Sequence, residues 1–398
     1  MISFFDTRKK LIHYSFKNYV LFLFIIVFAN SINIKNRRSL NNYYSEVHLV
    51  VMGKGEQKIL YSGFRYNPSE VWVNEVQNNS CKKTCYLEKD ENNITLKFYN
   101  QINSSENMFR ELSNIREIDL SNFDASQVTT MTEMFRGCTN LKNINFGKIN
   151  TSSVEKMDSL FLSCYNLTII DISNLDTSKV KNMIYMFYAS SGLKEINFGN
   201  IDTLNVETMT AIFYKCYSLI SINLSSFDTS KVTSFHYAFS ECSSLKKLDL
   251  SNLDFSKVTS MDHMIYVCSN LEEIKFGNIK TSSLEDMQYL FSNCSKLTSI
   301  DLSNFDTSKV TNMWSTFWNC INLEKIIFGN FNTSSVKTMR STFLNCYQLK
   351  SLNLSNFDTS SVTCFRYMFS GCNNLKYLDV SNFHISNDTD ISSMFAYC

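Results

Sequence analysis

The chain has 398 residues, enough for two or more ordinary domains. Its 38 Lys and Arg balance 37 Asp and Glu, which removes the electrostatic case for a nucleic-acid partner or a polybasic membrane patch. One proline, Pro68, and ten glycines leave little material for long disordered linkers.

The first element is a targeting segment at 1–31. Arg8, Lys9, Lys10 and Lys17 precede an apolar run from Tyr19 to Ala29. Those 11 residues fall short of the roughly 20 that a spanning helix needs. Ala29-Asn30-Ser31 fits a small-x-small cleavage site, so cleavage after Ser31 is expected, with an uncleaved signal anchor as the alternative. The expected location is secreted or cell-surface, with no membrane insertion after cleavage. Ten Asn-x-Ser/Thr sequons follow, which an exported eukaryotic chain could glycosylate and an Asn- and Ser-rich chain also yields by chance.

Residues 32–101 form a separate module. Glu46 to Met52, the Gly53-Lys54-Gly55 turn and Gln57 to Tyr61 predict a β-hairpin. Val71–Val73 and Ile94–Phe98 predict further short strands. Such a β cap would cover the apolar edge that the first coil of a repeat array exposes. Cys81 and Cys85 lie within it and can form one bridge in an exported protein.

From 102 to 398 the sequence repeats. Cys138, Cys164, Cys216, Cys242, Cys268, Cys294, Cys320, Cys346, Cys372 and Cys398 share one 26-residue register, with Ser190 and Leu112 in the same slot. Rows of Val, Met, Phe and Leu run parallel to them. Such a period predicts a solenoid of eleven full units and a truncated twelfth. Within a unit, Val154, Met157, Leu160, Phe161 and Cys164 are spaced close to one helical face, and Ser152 to Glu155 has capping-box spacing. Leu141-x-x-Ile144-x-Phe146 reads as a strand. The expected fold class is therefore an α/β repeat solenoid, leucine-rich-repeat-like, with one parallel strand and one short helix per coil behind a small N-terminal β cap. Phe146, Phe198, Phe276 and Phe328 are each followed by Gly, whereas the smaller residues at that position are followed by Ser. This predicts volume compensation where coils approach closely.

The run Asp301-Leu-Ser-Asn-Phe-Asp-Thr-Ser-Lys-Val-Thr-Asn-Met313, with Phe317, Cys320 and Leu323, resembles BspA-like leucine-rich-repeat surface proteins of bacteria and protists. The resemblance covers about 102–398 and implies a secreted or surface-displayed solenoid used in adhesion or recognition. Two features depart from that pattern. No Cys follows the signal at a lipobox position, and the last unit stops before its strand, so a C-terminal cap or anchor is expected beyond it.

The cysteine row admits disulfide, metal or core roles. Parallel Cβ vectors disfavour bridges, and the close pairs that zinc wants are missing, which favours buried free thiols. The methionine row likewise reads as core. Asp176, Asp202, Asp228, Asp254, Asp306 and Asp358 form another row, read as Asx turns ahead of a Ca²⁺ ladder. The candidate ligand surface is the outward strand face, concave in leucine-rich repeats. Asp119, Asn145, Asp171, Asn197, Asn223, Asp249, Asp301 and Asn353 share one position there, and Arg116, Lys142, Lys194 and Lys246 share another. The expected partner is an extracellular protein or glycan. Self-association as a structural protein and an unanchored receptor-like ectodomain are the alternatives. No cofactor is called for. His13, His48, His236, His263 and His384 share no motif, and no phosphate loop or nucleophile elbow is present in the sequence, so no enzyme is expected.

Overall fold

The computed structural model describes residues 45–398; the targeting segment lies outside the described residues. The cap contains β1 (Ser45–Met52), β2 (Gly55–Lys58), β3 (Glu70–Val73), β4 (Val76–Gln77), β5 (Thr84–Leu87) and β6 (Glu91–Phe98), and β7 (Ile115–Asn122) follows. The expected hairpin between β1 and the segment after Gly55 does not form. β1 pairs antiparallel with β6 on one edge and β7 on the other, while β2 pairs with β5. Both edges of β1 are taken by strands distant in sequence, so the local turn signal is overridden. A disulfide joins Cys81 to Cys85, just ahead of and within β5.

β7 is the seam between cap and array. It runs antiparallel to β1 and parallel to β8 (Asn143–Asn145), so the cap sheet continues into the first coil. The later coils contribute β9 (Ile169–Asp171), β10 (Glu195–Asn197), β11 (Lys247–Asp249), β12 (Glu273–Lys275), β13 (Ser299–Asp301), β14 (Lys325–Ile327), β15 (Ser351–Leu352) and β16 (Tyr377–Leu378). These pair in parallel at a 26-residue offset, as in Ile170 with Ile196. A second ladder of single-residue parallel bridges runs up another side, from Thr130–Lys156 to Cys364–Asp390.

The expected helix in each coil is absent among the described residues. A helix directs every N–H to the carbonyl four residues back in its own chain segment. Here alternate N–H groups leave the coil. Those of Met131, Glu133, Phe135 and Gly137 donate to the carbonyls of Lys156, Asp158, Leu160 and Leu162 in the next coil, at 2.7–3.1 Å. The intervening N–H groups of Met134, Arg136 and Cys138 close three-residue turns onto Met131, Glu133 and Phe135, each at 3.1 Å. The segment is thus a run of overlapping β-turns. The same applies to the capping-box pair: Glu155 N–H donates to Thr129 of the preceding coil, and Ser152 N–H to the Asn150 side chain.

Overlapping turns of this kind need left-handed residues. Two rows supply them, four positions apart. Ser159, Tyr185, Tyr237 and His263 lie in one, with φ of 54–57°, and Ser163, Lys215 and Val267 in the other, with φ of 57–63°. This conformation costs roughly 1–2 kcal/mol for a residue with a Cβ, and the inter-coil hydrogen bonds offset it. Glycine is required at the other corner in the coils that carry Gly147, Gly199, Gly277 and Gly329. A Cβ on Gly199 would lie 2.5 Å from Ser173 Cβ, and one on Gly147 2.6 Å from Ser121 Cβ, with φ of +57° and +55°. The small residue therefore relieves contact with the preceding coil rather than with its own phenylalanine.

The core is continuous from cap to array. Its spine is a stack of phenylalanine rings, Phe109, Phe135, Phe161, Phe187, Phe213 and Phe239, with centroids 5.3–5.9 Å apart. Polar rungs flank it. Thr177 Oγ1 donates to Asp202 O at 2.7 Å and accepts from Asp202 N–H at 3.1 Å, so one buried hydroxyl clamps both groups of the residue above. Thr203 clamps Asp228 in the same way.

The cysteine row is a third set of rungs. Cys242 Sγ donates to Phe213 O at 3.2 Å, and Cys268 Sγ to Phe239 O at 3.1 Å. Ser190, standing in the cysteine slot, makes the same bond from its hydroxyl to Phe161 O at 2.5 Å. Burial pushes the Cys138 and Cys268 thiols up to about 12, which keeps them protonated donors at neutral pH. Nine of the ten periodic thiols are buried; Cys398 is exposed, contrary to the uniform row the repeat implies.

Two expectations follow. Thr203→Val keeps the shape but leaves the Asp228 N–H and C=O without their partner; loss of about 1–3 kcal/mol in urea unfolding is expected, and unchanged stability would show the clamp to be idle. In native protein a soluble maleimide should label Cys398, and partly buried Cys364 more slowly, with nine further thiols reacting only in denaturant. Rapid native labelling of Cys242 would contradict the rung geometry.

Candidate functional site

The strand face holds the residues singled out from sequence. Each of the Asp and Asn side chains there is committed to its own backbone. Asp119, Asn145, Asp171, Asn197, Asn223, Asp249, Asp301 and Asn353 all accept through Oδ1 from the N–H two residues on, at 2.8–3.1 Å. They form Asx turns at the strand corner of their coils. The second oxygen points to further partners only locally, as where Asn197 Nδ2 donates to Asp171 Oδ2 at 3.0 Å. The Asp176, Asp228 and Asp306 row does the same at the next corner, and among the described residues no group of carboxylates, His or Cys is placed to hold a metal ion.

The basic row is mixed in role. Arg116 is drawn to the cap, where it pairs with Glu91 and Glu117. Lys142, Lys194 and Lys246 are exposed beside the strands. Their neighbours Lys247 and Lys275 both reach Glu273, at 2.8 and 3.3 Å. Two open grooves of about 360 and 400 Å³ lie on this side. Asp301 and Lys275 line one with Phe276 and Phe305; Asn353 and Ile327 line the other with Phe328 and Phe357.

The turn side carries a feature that the repeat does not predict. The row that holds Glu133 and Ser159 in early coils holds Tyr185, Tyr237, His263 and Tyr289 in the middle ones, and the row of Arg136 and Leu162 holds Tyr188, Tyr214, Tyr266 and Trp318. Tyr185, Tyr188, Tyr214, Tyr237, His263, Tyr289 and Trp314 form an unbroken chain of ring contacts. Centroid separations run from 4.5 to 5.5 Å. Tyr266 and Trp318 flank it, packing on His263 and Tyr289. Tyr185, Tyr237, His263 and Tyr289 all lie in one left-handed row, so consecutive coils present them at the same height.

At the centre sits Asp262, buried, with a carboxylate oxygen on each of two imidazoles. Its Oδ2 is 3.0 Å from His236 Nδ1, and its Oδ1 pairs with His263 Nδ1. Burial pushes this carboxyl up, but the hydrogen bonds from His236 and His263 outweigh burial and hold it at about 2. Asp286 nearby is pushed up, by burial first and by the Asp262 charge. The arrangement locks both imidazoles against the rings, with His263 sandwiched between Tyr237 and Tyr289 at 4.5 Å from each.

These residues were not singled out from sequence. The available signal was register: His236 and His263 are 27 apart, one coil plus one residue, and Asp262 lies one coil beyond His236.

The molecule so described is a parallel β-solenoid of 26-residue coils built from overlapping turns and very short strands. The chain belongs to the family described as "Mycoplasma protein of unknown function, DUF285", whose model matches residues 103–197, 189–300 and 285–398. No curated protein matches it. Among solved structures, the crystal structure of a TLR13–ssRNA13 complex is similar over 71% of this chain and 46% of that chain, at 13% identity and a TM-score of 0.26. The chain thus spans under half of that protein.

The carboxylates set an acid limit. Asp171, Asp249 and Asp301 are held below the usual range by hydrogen bonds from the Ser two residues on, and Asp262 by its two imidazoles. A depressed folded value stabilises above the unfolded value of about 3.9 and is lost as pH falls through the folded one. The thermal midpoint should therefore drop between about pH 4 and pH 2. Asp262→Asn should start lower at pH 7 and drop less across that window; a parent midpoint that is flat from pH 5 to 2 would refute the linkage.

Proposed function

We propose that the protein is a secreted or cell-surface recognition module that binds an extracellular protein or glycan through the aromatic band on its turn side. It would be a surface solenoid of the BspA-like, leucine-rich-repeat kind. One observation carries this reading: the band breaks the repeat. Core rows repeat because every coil must stack, whereas nothing in stacking requires rings at Tyr185, Tyr237 and Tyr289 when the same row holds Glu133 and Ser159 before them, Ser315 and Ser341 after them, and a ring again at Tyr367. Aromatic side chains with partly exposed faces supply large contact area at low conformational cost, which suits recognition. The neutral charge balance and the spread of the rings over several coils support binding of an extended partner rather than turnover of a small one.

The two strand-side grooves at Asp301 and Asn353 favour a second reading, in which the strand face is the contact surface. The full-length chain on an array of extracellular proteins and glycans separates the two. Tyr237→Ala/Tyr289→Ala/Trp314→Ala should lower retained signal ten-fold or more, about 1.4 kcal/mol. Asp171→Asn/Asp249→Asn/Asp301→Asn keeps the Oδ1 acceptor and should stay within about two-fold of the parent, under roughly 0.4 kcal/mol. The reverse pattern would transfer the site to the strands, and signal indifferent to both would sink the proposal.

A further inference from the structure

The turn-side strip changes sign along the array. Near the cap, an open cavity of about 570 Å³ is lined by Glu106, Glu155 and Asp158 with Lys156. Seven coils of 26 residues further on, the positions of Glu155 and Asp158 hold Lys337 and Arg340, and the next coil brings Arg366 into the Asp158 position. Ser341 N–H donates to the Arg366 carbonyl at 2.8 Å, so the two arginines stand on hydrogen-bonded neighbouring coils, about 4.8 Å apart along the axis. Rings position both side chains. Arg340 Cζ lies 5.3 Å from the centre of the Trp314 ring, where the aromatic band ends, and Arg366 Cζ lies 5.0 Å from that of Tyr367. Arg366 Nη2 also donates to the Tyr367 hydroxyl at 3.3 Å, and its Nε is enclosed without an acceptor, where a buried donor normally has one. The protein thus holds this guanidinium in place while leaving it short of partners.

What the pair lacks is a counter-charge. Arg110, Arg116 and Arg136 in the first coils each pair with glutamates. Among the described residues neither Arg340 nor Arg366 has a carboxylate within 4.0 Å. The Asp390 carboxyl feels both charges, but its Oδ1 accepts from Ser392 N–H at 2.9 Å and its Oδ2 faces Cys364 Sγ at 3.9 Å. Tyr367 is held below its usual value, first by the hydrogen bond from Arg366 and then by the Arg366 and Arg340 charges, which marks a local excess of positive charge. We infer that the Arg340–Arg366 pair is a binding site for a tetrahedral oxyanion, sulfate or phosphate, free or as an ester. This site goes beyond the recognition reading and does not rest on the aromatic band being the contact surface. The number and direction of oxygens select this class over a carboxylate. One guanidinium fork takes both oxygens of a carboxylate, which leaves the second guanidinium, one coil on, unmatched. A tetrahedral oxyanion offers oxygens in several directions, so each coil can supply its own N–H donors. Exposed Lys337, in the coil of Arg340, adds charge of the same sign.

Isothermal titration calorimetry of the full-length chain tests the site, at neutral pH and at an ionic strength fixed with sodium chloride. The titrants are sodium sulfate, sodium phosphate and sodium acetate. One saturable site is expected for sulfate or phosphate, with acetate weaker by about ten-fold or more. Arg340→Gln changes an exposed side chain that the fold does not use, and it should weaken binding by about ten-fold or more. Arg366→Gln should lose a similar factor. Arg136→Gln, which removes a cation far along the array, should stay within about two-fold of the parent and so separates a site from general charge. Methyl sulfate and methyl phosphate distinguish the sources. Esters that bind as well as the free ions support a site for an ester-bearing partner, and binding of the free ions alone supports a site for the ion itself. No saturable sulfate or phosphate binding, acetate equal to both, or Arg340→Gln and Arg366→Gln titrating like the parent would overturn the inference.

Discussion

The structure depends on where alternate N–H groups of the turn segment point. Directed four residues back, they would make the helix that the apolar spacing suggests. Directed 25 residues on, as from Glu133 to Asp158 or Phe135 to Leu160, they tie each coil to the next along its length. That choice forces left-handed residues at two corners of every coil, because only a reversal of φ brings the intervening N–H groups round to close their own turns. It also fixes the period at 26. An insertion would break the pairing of every donor downstream within that coil, which is why the rows stay in register from the cap onward.

Side-chain rungs follow from the same constraint. Buried carbonyls that already accept one backbone bond still have a second lone pair, and a short donor from the next coil can reach it. Cysteine and serine are both short enough, and Ser190 shows that the donor, not the sulfur, is what the slot uses. Leu112 lies in the first coil and caps no carbonyl of a preceding one, so an apolar residue suffices there. Threonine goes further, since its hydroxyl both donates and accepts and so clamps N–H and C=O together. The rows thus look like a metal or disulfide ladder in sequence, yet they are hydrogen-bond rungs.

This explains what was legible and what was not. The repeat and its core rows could be read because identical coils must bury identical positions; Val154, Met157, Phe161 and Cys164 are all fully buried. The helix was misread because a three- or four-residue apolar spacing is shared by a helix and by overlapping β-turns. The deciding quantity is the sign of φ at Ser159 and Tyr185, and neither is the Gly or Asn that would have announced it. The hairpin failed for a different reason: Gly53-Lys54-Gly55 is a sound local turn signal, but strands β6 and β7 compete for β1 through contacts far apart in sequence. The Asp and Asn row of the strand side has its Oδ1 atoms engaged in Asx turns, a local commitment that residue type alone does not announce.

The left-handed row has a further consequence for how such a scaffold acquires function. Its backbone strain is set by the coil, so it is similar whether the side chain is Ser159, Ala211, Tyr237 or His263, all within a few degrees of one another. Small substituents there, such as Ser159 and Ala211, are covered by their neighbours, whereas the larger Tyr185 ring reaches the surface. Changing the residue alters what the surface offers without changing what the fold requires. A core row cannot drift in this way, since a lost methylene in the Phe spine is felt by both neighbouring coils. Function in a molecule of this kind is therefore carried by departures from the repeat at positions the repeat leaves free. The ring-bearing coils are that departure, which is why the unique chemistry of the chain gathers on the turn side and not on its more regular strand face.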